Sequence, residues 1–498
     1  MNKSKENFSR ILTSSSLIGG AQLINMFTGM LRVKCVALLI GPVGVGLVAT
    51  YQTLTELFAI IAGLGLKDSA VRDISQADAK GDKENISRII LSLRRMCFVG
   101  GVLGTLVVLT FSTSLSKLTF GDSDYSGDIA LISLSIMFIS LKNGQIALLQ
   151  GMRRIKDLAK LTIISAINGS IISVAFYWFY GVQGIVPAIV LFSLIELYFS
   201  WRISRKILID PLKMSWLDSF KFAGGMLNMG LVLMWNALLI TLVAYFTRTI
   251  IAHEIDLISV GLFSAAFALS GMLVNFILGA MSADYYPSLT AINSNHKKMQ
   301  NLVNQQTEIG ILISIPGLLA MLALSPWLVE LFYTSEFTKA AELLRWFSLG
   351  CIGRILSWPL GFILLAKGCS KLFLFTETSI NLIHLVLISL FLNWFGIEGV
   401  AKAFSLLYVI YTIMMLIITY KVIGMKWSVD VWKLITKLTP YIALTFIAGI
   451  YLPKIIATII GLTLTVIVSL YCSRELMIRV GSDHKITRLL KKIPLIRI

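Results

Sequence analysis

Runs of about 20 apolar residues recur from end to end of this chain, each long enough to cross a bilayer as a helix. Lipid offers the backbone no hydrogen bonds, so only helices and closed barrels can span it. No run alternates with a period of two, which removes the barrel. Composition agrees. Of 498 residues, 56% are hydrophobic and 14% charged, and mean hydropathy is +0.82. A soluble domain carries about 25% charged residues. The expected fold class is an all-α polytopic membrane protein with about 14 transmembrane helices. The candidate spans are 11–40, 44–66, 96–114, 129–149, 158–180, 184–201, 224–247, 259–281, 306–330, 346–366, 372–394, 399–420, 438–452 and 455–473. The first is long enough to bend or tilt, and the thirteenth is short for a span.

The net charge of +18 is distributed unevenly. With the N-terminus inside, the inner segments hold 34 Lys and Arg and the outer ones 5, namely Lys117, Arg248, Lys339, Arg345 and Lys454. The positive-inside rule then puts both termini in the cytoplasm and accounts for the charge without nucleic acid. The longest inner loops, 67–95, 202–223 and 282–305, look amphipathic enough to lie along the membrane surface. The basic tail, with Arg479, Lys485, Arg488, Lys491, Lys492 and Arg497, suits an anionic inner leaflet. Lys3, Lys5 and Arg10 precede the first apolar run, but no small-residue cleavage site follows it, so that run is expected to stay as a helix. Five cysteines stand singly, without metal or disulfide spacing. Walker A, Rossmann and HExxH signatures are absent, so no direct use of ATP is expected.

The chain repeats itself. Val45-Gly46-Leu47-Val48-Ala49-Thr50 corresponds to Val260-Gly261-Leu262-Phe263-Ser264-Ala265. Tyr180-Gly181-Val182-Gln183-Gly184-Ile185 corresponds to Phe395-Gly396-Ile397-Glu398-Gly399-Val400 at the same offset of 215 residues. Ala147-Leu148-Leu149 falls opposite Phe362-Ile363-Leu364. One offset held across so long a stretch predicts two six-helix repeats. Six is even, so the copies run in parallel orientation, with a cavity between them. The domains expected are 1–223 and 224–437, one six-helix bundle each, then 438–498 with two C-terminal helices and the tail.

Charges inside spans are costly and mark pathways. Arg32 ends a stripe of Gln22, Asn25 and Gly29 on one face of the first span, whereas Lys34 faces elsewhere. Lys142 lies deep in the fourth span and Arg354 near the middle of the tenth. The repeat maps Lys142 to 357, one turn from Arg354, so each half offers a cation at similar depth. Arg32, Lys142 and Arg354 are the candidate substrate-binding cations of a central cavity. Each could instead pair with a carboxylate. Glu56 and Glu196 are candidate counter-charges. Glu377, Asn381 and His384 share a face of the eleventh span, where Glu377 and His384 could relay a proton or serve as a hydrogen-bonding stripe. Asp284 and Glu308 sit at inner ends of their spans, as interface charges.

The hairpin around Leu39-x-Gly41-Pro42-x-Gly44-x-Gly46, with Gly63-Leu64-Gly65 ending its second helix and Arg72 in the next loop, resembles bacterial polysaccharide transporters. These are the Wzx-type flippases of the multidrug/oligosaccharidyl-lipid/polysaccharide (MOP) exporter superfamily. The resemblance implies a transporter of the bacterial inner membrane and not an enzyme. The implied cargo is undecaprenyl-diphosphate carrying an oligosaccharide, an O-antigen or related surface polysaccharide unit, flipped from the cytoplasmic to the periplasmic leaflet. A diphosphate suits Arg and Lys in a low-dielectric cavity. The resemblance also implies coupling to an ion gradient, H+ or Na+, with Glu377, His384, Glu56 and Glu196 as candidates. No cofactor is expected. Partners would be membrane lipids, a polysaccharide polymerase and a chain-length regulator. Two alternatives stay open. A multidrug or other lipid-linked-substrate exporter of the same superfamily would want carboxylates for cationic drugs. A membrane enzyme of polysaccharide assembly would want a sizeable external loop.

Overall fold

The computed structural model describes the backbone of residues 2–480, and the side chains from residue 24 on apart from 228, 229, 232, 233, 280, 283, 284 and 480. The side chains of Lys3, Lys5, Arg10, Gln22 and Asp284, and the tail residues 485–497, therefore lie outside the described residues. The described chain is helical, with no strand. Its α-helices are α1 (Asn2–Gly63), α2 (Leu66–Lys80), α3 (Lys83–Thr110), α4 (Ser112–Phe120), α5 (Ser126–Gly151), α6 (Ile155–Tyr180), α7 (Ile185–Ser204), α8 (Trp216–Glu254), α9 (Leu257–Ala291), α10 (His296–Phe332), α11 (Ala340–Ala366), α12 (Ser370–Phe395), α13 (Ile397–Ile423), α14 (Val429–Tyr451) and α15 (Lys454–Val480).

Among the described residues twelve stretches are long and apolar enough to cross a membrane. Two of them hold two crossings each. Ile24–Gly63 has 40 residues, about 60 Å of helix, twice the hydrocarbon thickness. It breaks at Gly41, whose φ of 61° and ψ of −169° only glycine adopts readily, and Pro42 restarts the helix. Ile155–Ser204 joins α6 and α7 through a 3₁₀ turn at Gly181–Gly184. The total agrees with the fourteen spans expected.

Three boundaries differ from expectation. Loop 282–305 is mostly helix, because α9 runs on to Ala291 and Asn295 caps α10 by accepting the Lys298 amide at 3.0 Å. The short thirteenth span is the 23-residue α14, which is capped by Ser428 and starts at Val429, nine residues before the expected start at 438. Segment 67–95 holds α2, whose buried Leu66, Ala70, Ile74 and Ala77 pack against α3 and α5 instead of lipid.

The repeat is visible in local backbone geometry. Gly181 (φ 55°, ψ −134°) and Gly396 (φ 59°, ψ −146°) end α6 and α12 in the same conformation. Their amides bond to the carbonyls of Tyr177 and Leu392, again 215 apart. Three residues on, a Cβ at Gly184 would lie 2.4 Å from the Phe176 carbonyl oxygen, and one at Gly399 2.0 Å from that of Phe391. The turns before α6 and α12 match too. Arg153 (φ 52°) and Gly368 (φ 69°) both take left-handed backbone, and Arg154 and Cys369 bond back to Leu149 and Leu364 at 2.9 Å.

By contacts the chain forms two compact units, Met1–Gly261 and Leu262–Ile498. The first thus includes α8, the seventh span, which the repeat assigns to the second half. Its reason is close backbone packing, since a Cβ at Gly65 would meet the Gly230 carbonyl oxygen at 1.9 Å. The first unit has one core beneath α1, α5, α6 and α7 and another beneath α2, α3 and α5. In the second unit α14 and α15 pack on α10, with Gly461 fitted against Ala323. Arg479 ties α15 to Glu308 of α10 at 2.7 Å and to Glu475.

The duplicated turn predicts duplicated sensitivity. Gly184→Ala and Gly399→Ala should each lower stability by about 1–3 kcal/mol through overpacking. Thermal unfolding in detergent checks this, and unchanged midpoints for both would contradict the packing.

Candidate functional site

In the first unit, Ser140 on α5 faces α3 and donates to the Cys97 carbonyl at 2.8 Å. Lys142, about 200° further round at about 100° per residue, faces α7. Its Nζ donates to Glu196 Oε2 at 2.8 Å, with both side chains less than one-fifth exposed. Two of the sequence candidates are therefore partners. Lys142 is not a spare cation and Glu196 is not a spare carboxylate.

Arg32 differs. It is half-buried on α1, and its Nη1 is 3.3 Å from where a side chain would start at Gly169 of α6. Glycine at 169 leaves that space to the guanidinium. Tyr177, two turns along α6, lies within electrostatic reach. Among the described residues no carboxylate pairs with Arg32. Asn25 is exposed, and no atom lies within 4 Å of a Cβ at Gly29, so the described part of the stripe runs along an open face.

Glu56 is exposed on α1 and lies within electrostatic reach of Arg248 on α8. Arg248, placed in an outer loop by the sequence count, sits inside α8 and donates to the Ala244 carbonyl at 2.8 Å. Arg345 likewise belongs to α11, with its Nε bonded to Ser325 at 3.0 Å.

In the second unit, α11 packs on α13 through Gly350 against Phe404 and Gly353 against Tyr408. Arg354, the next residue, is half-buried and, among the described residues, makes no ion pair. Its charge reaches Cys351 and Tyr408. Glu377 on α12 accepts a 2.7 Å hydrogen bond from the Tyr411 hydroxyl and also lies within electrostatic reach of Tyr408. Arg354 and Glu377 therefore flank the same tyrosine. His384, two turns along α12, has its ring 6.1 Å from that of Phe404, and Asn381 donates to the Glu377 carbonyl at 2.7 Å. Glu377 and His384 share a helix, but no described hydrogen bond joins them.

Sequence reasoning missed Tyr408 and Tyr411. They lie three residues apart on α13, and a stripe of two tyrosines in a span was the available signal. It also missed Lys402, which pairs with Glu398 at 2.9 Å and lies 4.3 Å over the Phe395 ring. Among the described residues no group of three or more His, Cys, Asp or Glu is arranged to hold a metal ion.

These helices define an all-α polytopic membrane fold, one that solved transporter structures share. The solved structure of the lipid II flippase MurJ, inward closed, matches with a TM-score of 0.69 at 16% identity, covering 93% of this chain and 99% of that one. An inward-facing MATE multidrug transporter of the MOP superfamily matches with a TM-score of 0.67 at 16% identity, covering 83% and 96%. Residues 35–342 match the family described as polysaccharide biosynthesis protein, and the chain belongs to that family. The lipid III flippase of Escherichia coli (strain K12) is 22% identical over 405 residues, 78% of this chain and 93% of that protein. The Shigella flexneri lipid III flippase matches equally. These relatives and neighbours are flippases and transporters, not enzymes.

The Lys142–Glu196 pair predicts a sharp asymmetry. Lys142→Met or Glu196→Gln alone should cost on the order of 3 kcal/mol, because each leaves its partner's charge or hydrogen bonds uncompensated in the bilayer. The double variant Lys142→Met/Glu196→Met should recover most of that loss. A double-mutant cycle read by thermal unfolding checks it, and additive losses would contradict the pair.

Proposed function

We propose that this protein is a flippase for an undecaprenyl-diphosphate-linked oligosaccharide, an O-antigen or related surface polysaccharide unit. It works in the bacterial inner membrane with both termini in the cytoplasm. The carrying observation is that Arg32 and Arg354 are half-buried in apolar helices and, among the described residues, have no carboxylate partner. A cation so placed favours an anion. A diphosphate is a compact one, and the planar guanidinium grips phosphate oxygens in pairs. Family membership and the lipid III flippase relatives support the same cargo class. In this reading each arginine, within its own unit, contacts the diphosphate during its crossing, while the lipid tail stays in the bilayer. The Lys142–Glu196 pair acts as a neutral brace between α5 and α7 and departs from the third cation that the sequence suggested. A polymerase and a chain-length regulator would receive the flipped unit.

The coupling ion, H+ or Na+, is assigned to the Glu377 carboxylate, held by Tyr411 next to the tyrosine that Arg354 also reaches. Binding a cation at Glu377 would change the field at Arg354 and so its hold on the anion. His384, packed on Phe404, and the exposed Glu56 are secondary candidates.

One experiment separates these parts: surface polysaccharide in a deletion strain complemented at matched protein level. Arg32→Ala and Arg354→Ala should each lose about 1.5–3 kcal/mol of cargo binding, a tenfold to hundredfold weakening, with Lys rescuing only partly. Glu377→Gln should keep cargo binding and lose the dependence of export on the ion gradient. Wild-type export from both alanine variants would refute the cationic contact, and unchanged gradient dependence in Glu377→Gln would refute the coupling assignment.

A further inference from the structure

A cleft of about 470 Å³ lies at one membrane end of the first unit, lined by Arg88, Leu212, Lys213, Met214, Asp218, Lys221 and Phe222. It is formed by the start of α3, the segment 205–215 between α7 and α8, and the start of α8. Arg95 shapes its wall. One Nη1 donates to the carbonyls of Met214 at 2.9 Å and Ser215 at 2.8 Å and to the Ser219 hydroxyl at 2.6 Å, and the guanidinium lies 4.8 Å from the Trp216 ring centroid. A half-buried Arg95 clamp thus ties the 214–219 wall of the cleft to α3.

Its charges are unevenly satisfied. Arg88 pairs with Glu84 on its own helix at 2.5 Å. The Asp218 carboxylate accepts the Ser215 hydroxyl at 2.6 Å as part of the α8 cap. Among the described residues neither Lys213 nor Lys221 has a hydrogen-bond or ion-pair partner. Trp216, Leu217 and Phe220, beside them on α8, are exposed. The 39 residues of α8 make a helix about 58 Å long, and about 30 Å of hydrocarbon cannot cover it. Its first turns therefore stand at headgroup level, where exposed aromatics and lysines together favour lipid headgroups.

We propose that this cleft binds the headgroup phosphate of an anionic phospholipid, with Lys213, Lys221 and Arg88 around the phosphate and Trp216, Leu217 and Phe220 beside the upper acyl chains. The bound lipid would fix segment 205–215 to the leaflet. The proposal rests on the chain crossing a membrane and not on the nature of its cargo, so it stands or falls independently of the flippase reading.

The test is native mass spectrometry of the full chain in detergent, titrated with phosphatidylglycerol or with phosphatidylcholine of the same acyl chains. The wild type should retain phosphatidylglycerol preferentially. A lysine at the headgroup is worth about fivefold in affinity, so Lys213→Gln/Lys221→Gln should weaken phosphatidylglycerol about 25-fold and leave phosphatidylcholine unchanged. Lys156→Gln/Lys160→Gln, a basic pair in the first turns of α6 outside the cleft, should behave as wild type. All these lysines are on the surface, and an unchanged melting temperature confirms folding. Equal retention of phosphatidylglycerol by the wild type and the cleft variant would overturn the proposal. So would displacement of the lipid by equimolar inorganic phosphate, which would make the cleft a free-phosphate site.

Discussion

A charge in hydrocarbon must be paired, hydrated or matched by a ligand, and that requirement organises both units of this protein. Around Lys142 it is met inside the chain, by Glu196 at 2.8 Å. At one end of the second unit it is met by Arg479 between Glu308 and Glu475, and the Glu308 bond also fastens α15 to α10. Around Arg32 and Arg354 no such carboxylate is found among the described residues. Two kinds of intramembrane charge therefore coexist. Paired charges hold helices together, and the two half-buried arginines have no carboxylate partner among the described residues.

The helix positions follow from simpler needs. Glycine at 41 lets one 40-residue apolar stretch break into two crossings. Glycines at 181 and 396 turn α6 and α12 back on themselves, and glycines at 184 and 399 let the returning helix approach within contact of a carbonyl. The duplication was legible in the sequence because these turns tolerate almost nothing else, whereas apolar helix faces exchange Leu, Ile, Val and Phe freely. The turn before α6 and α12 was harder to see. Arg153 and Gly368 share a backbone conformation without sharing a residue type. The extent of α9 and the early start of α14 were hidden because polar helix ends beyond the lipid carry no hydropathy signal.

The candidate site was legible only in part. A lone Arg or Lys in an apolar run announces itself, so Arg32, Lys142 and Arg354 could be picked out by inspection. What each one faces depends on helix packing between residues far apart in the chain. Lys142 and Glu196 are 54 positions apart, and Tyr411 and Glu377 are 34 apart. No periodicity within one helix reports such a pairing. The same limit explains Arg248 and Arg345, which a loop count placed outside and the structure places within α8 and α11.

The central claim is that Arg32 and Arg354 are there for a diphosphate. The most direct measurement is equilibrium binding of a short-chain polyprenyl diphosphate to the purified protein, compared with the matching polyprenyl alcohol. The account predicts that the diphosphate binds and the alcohol does not. It also predicts a loss of at least about tenfold in diphosphate affinity in Arg32→Ala and in Arg354→Ala. Equal binding of the diphosphate by the wild type and both variants would contradict it.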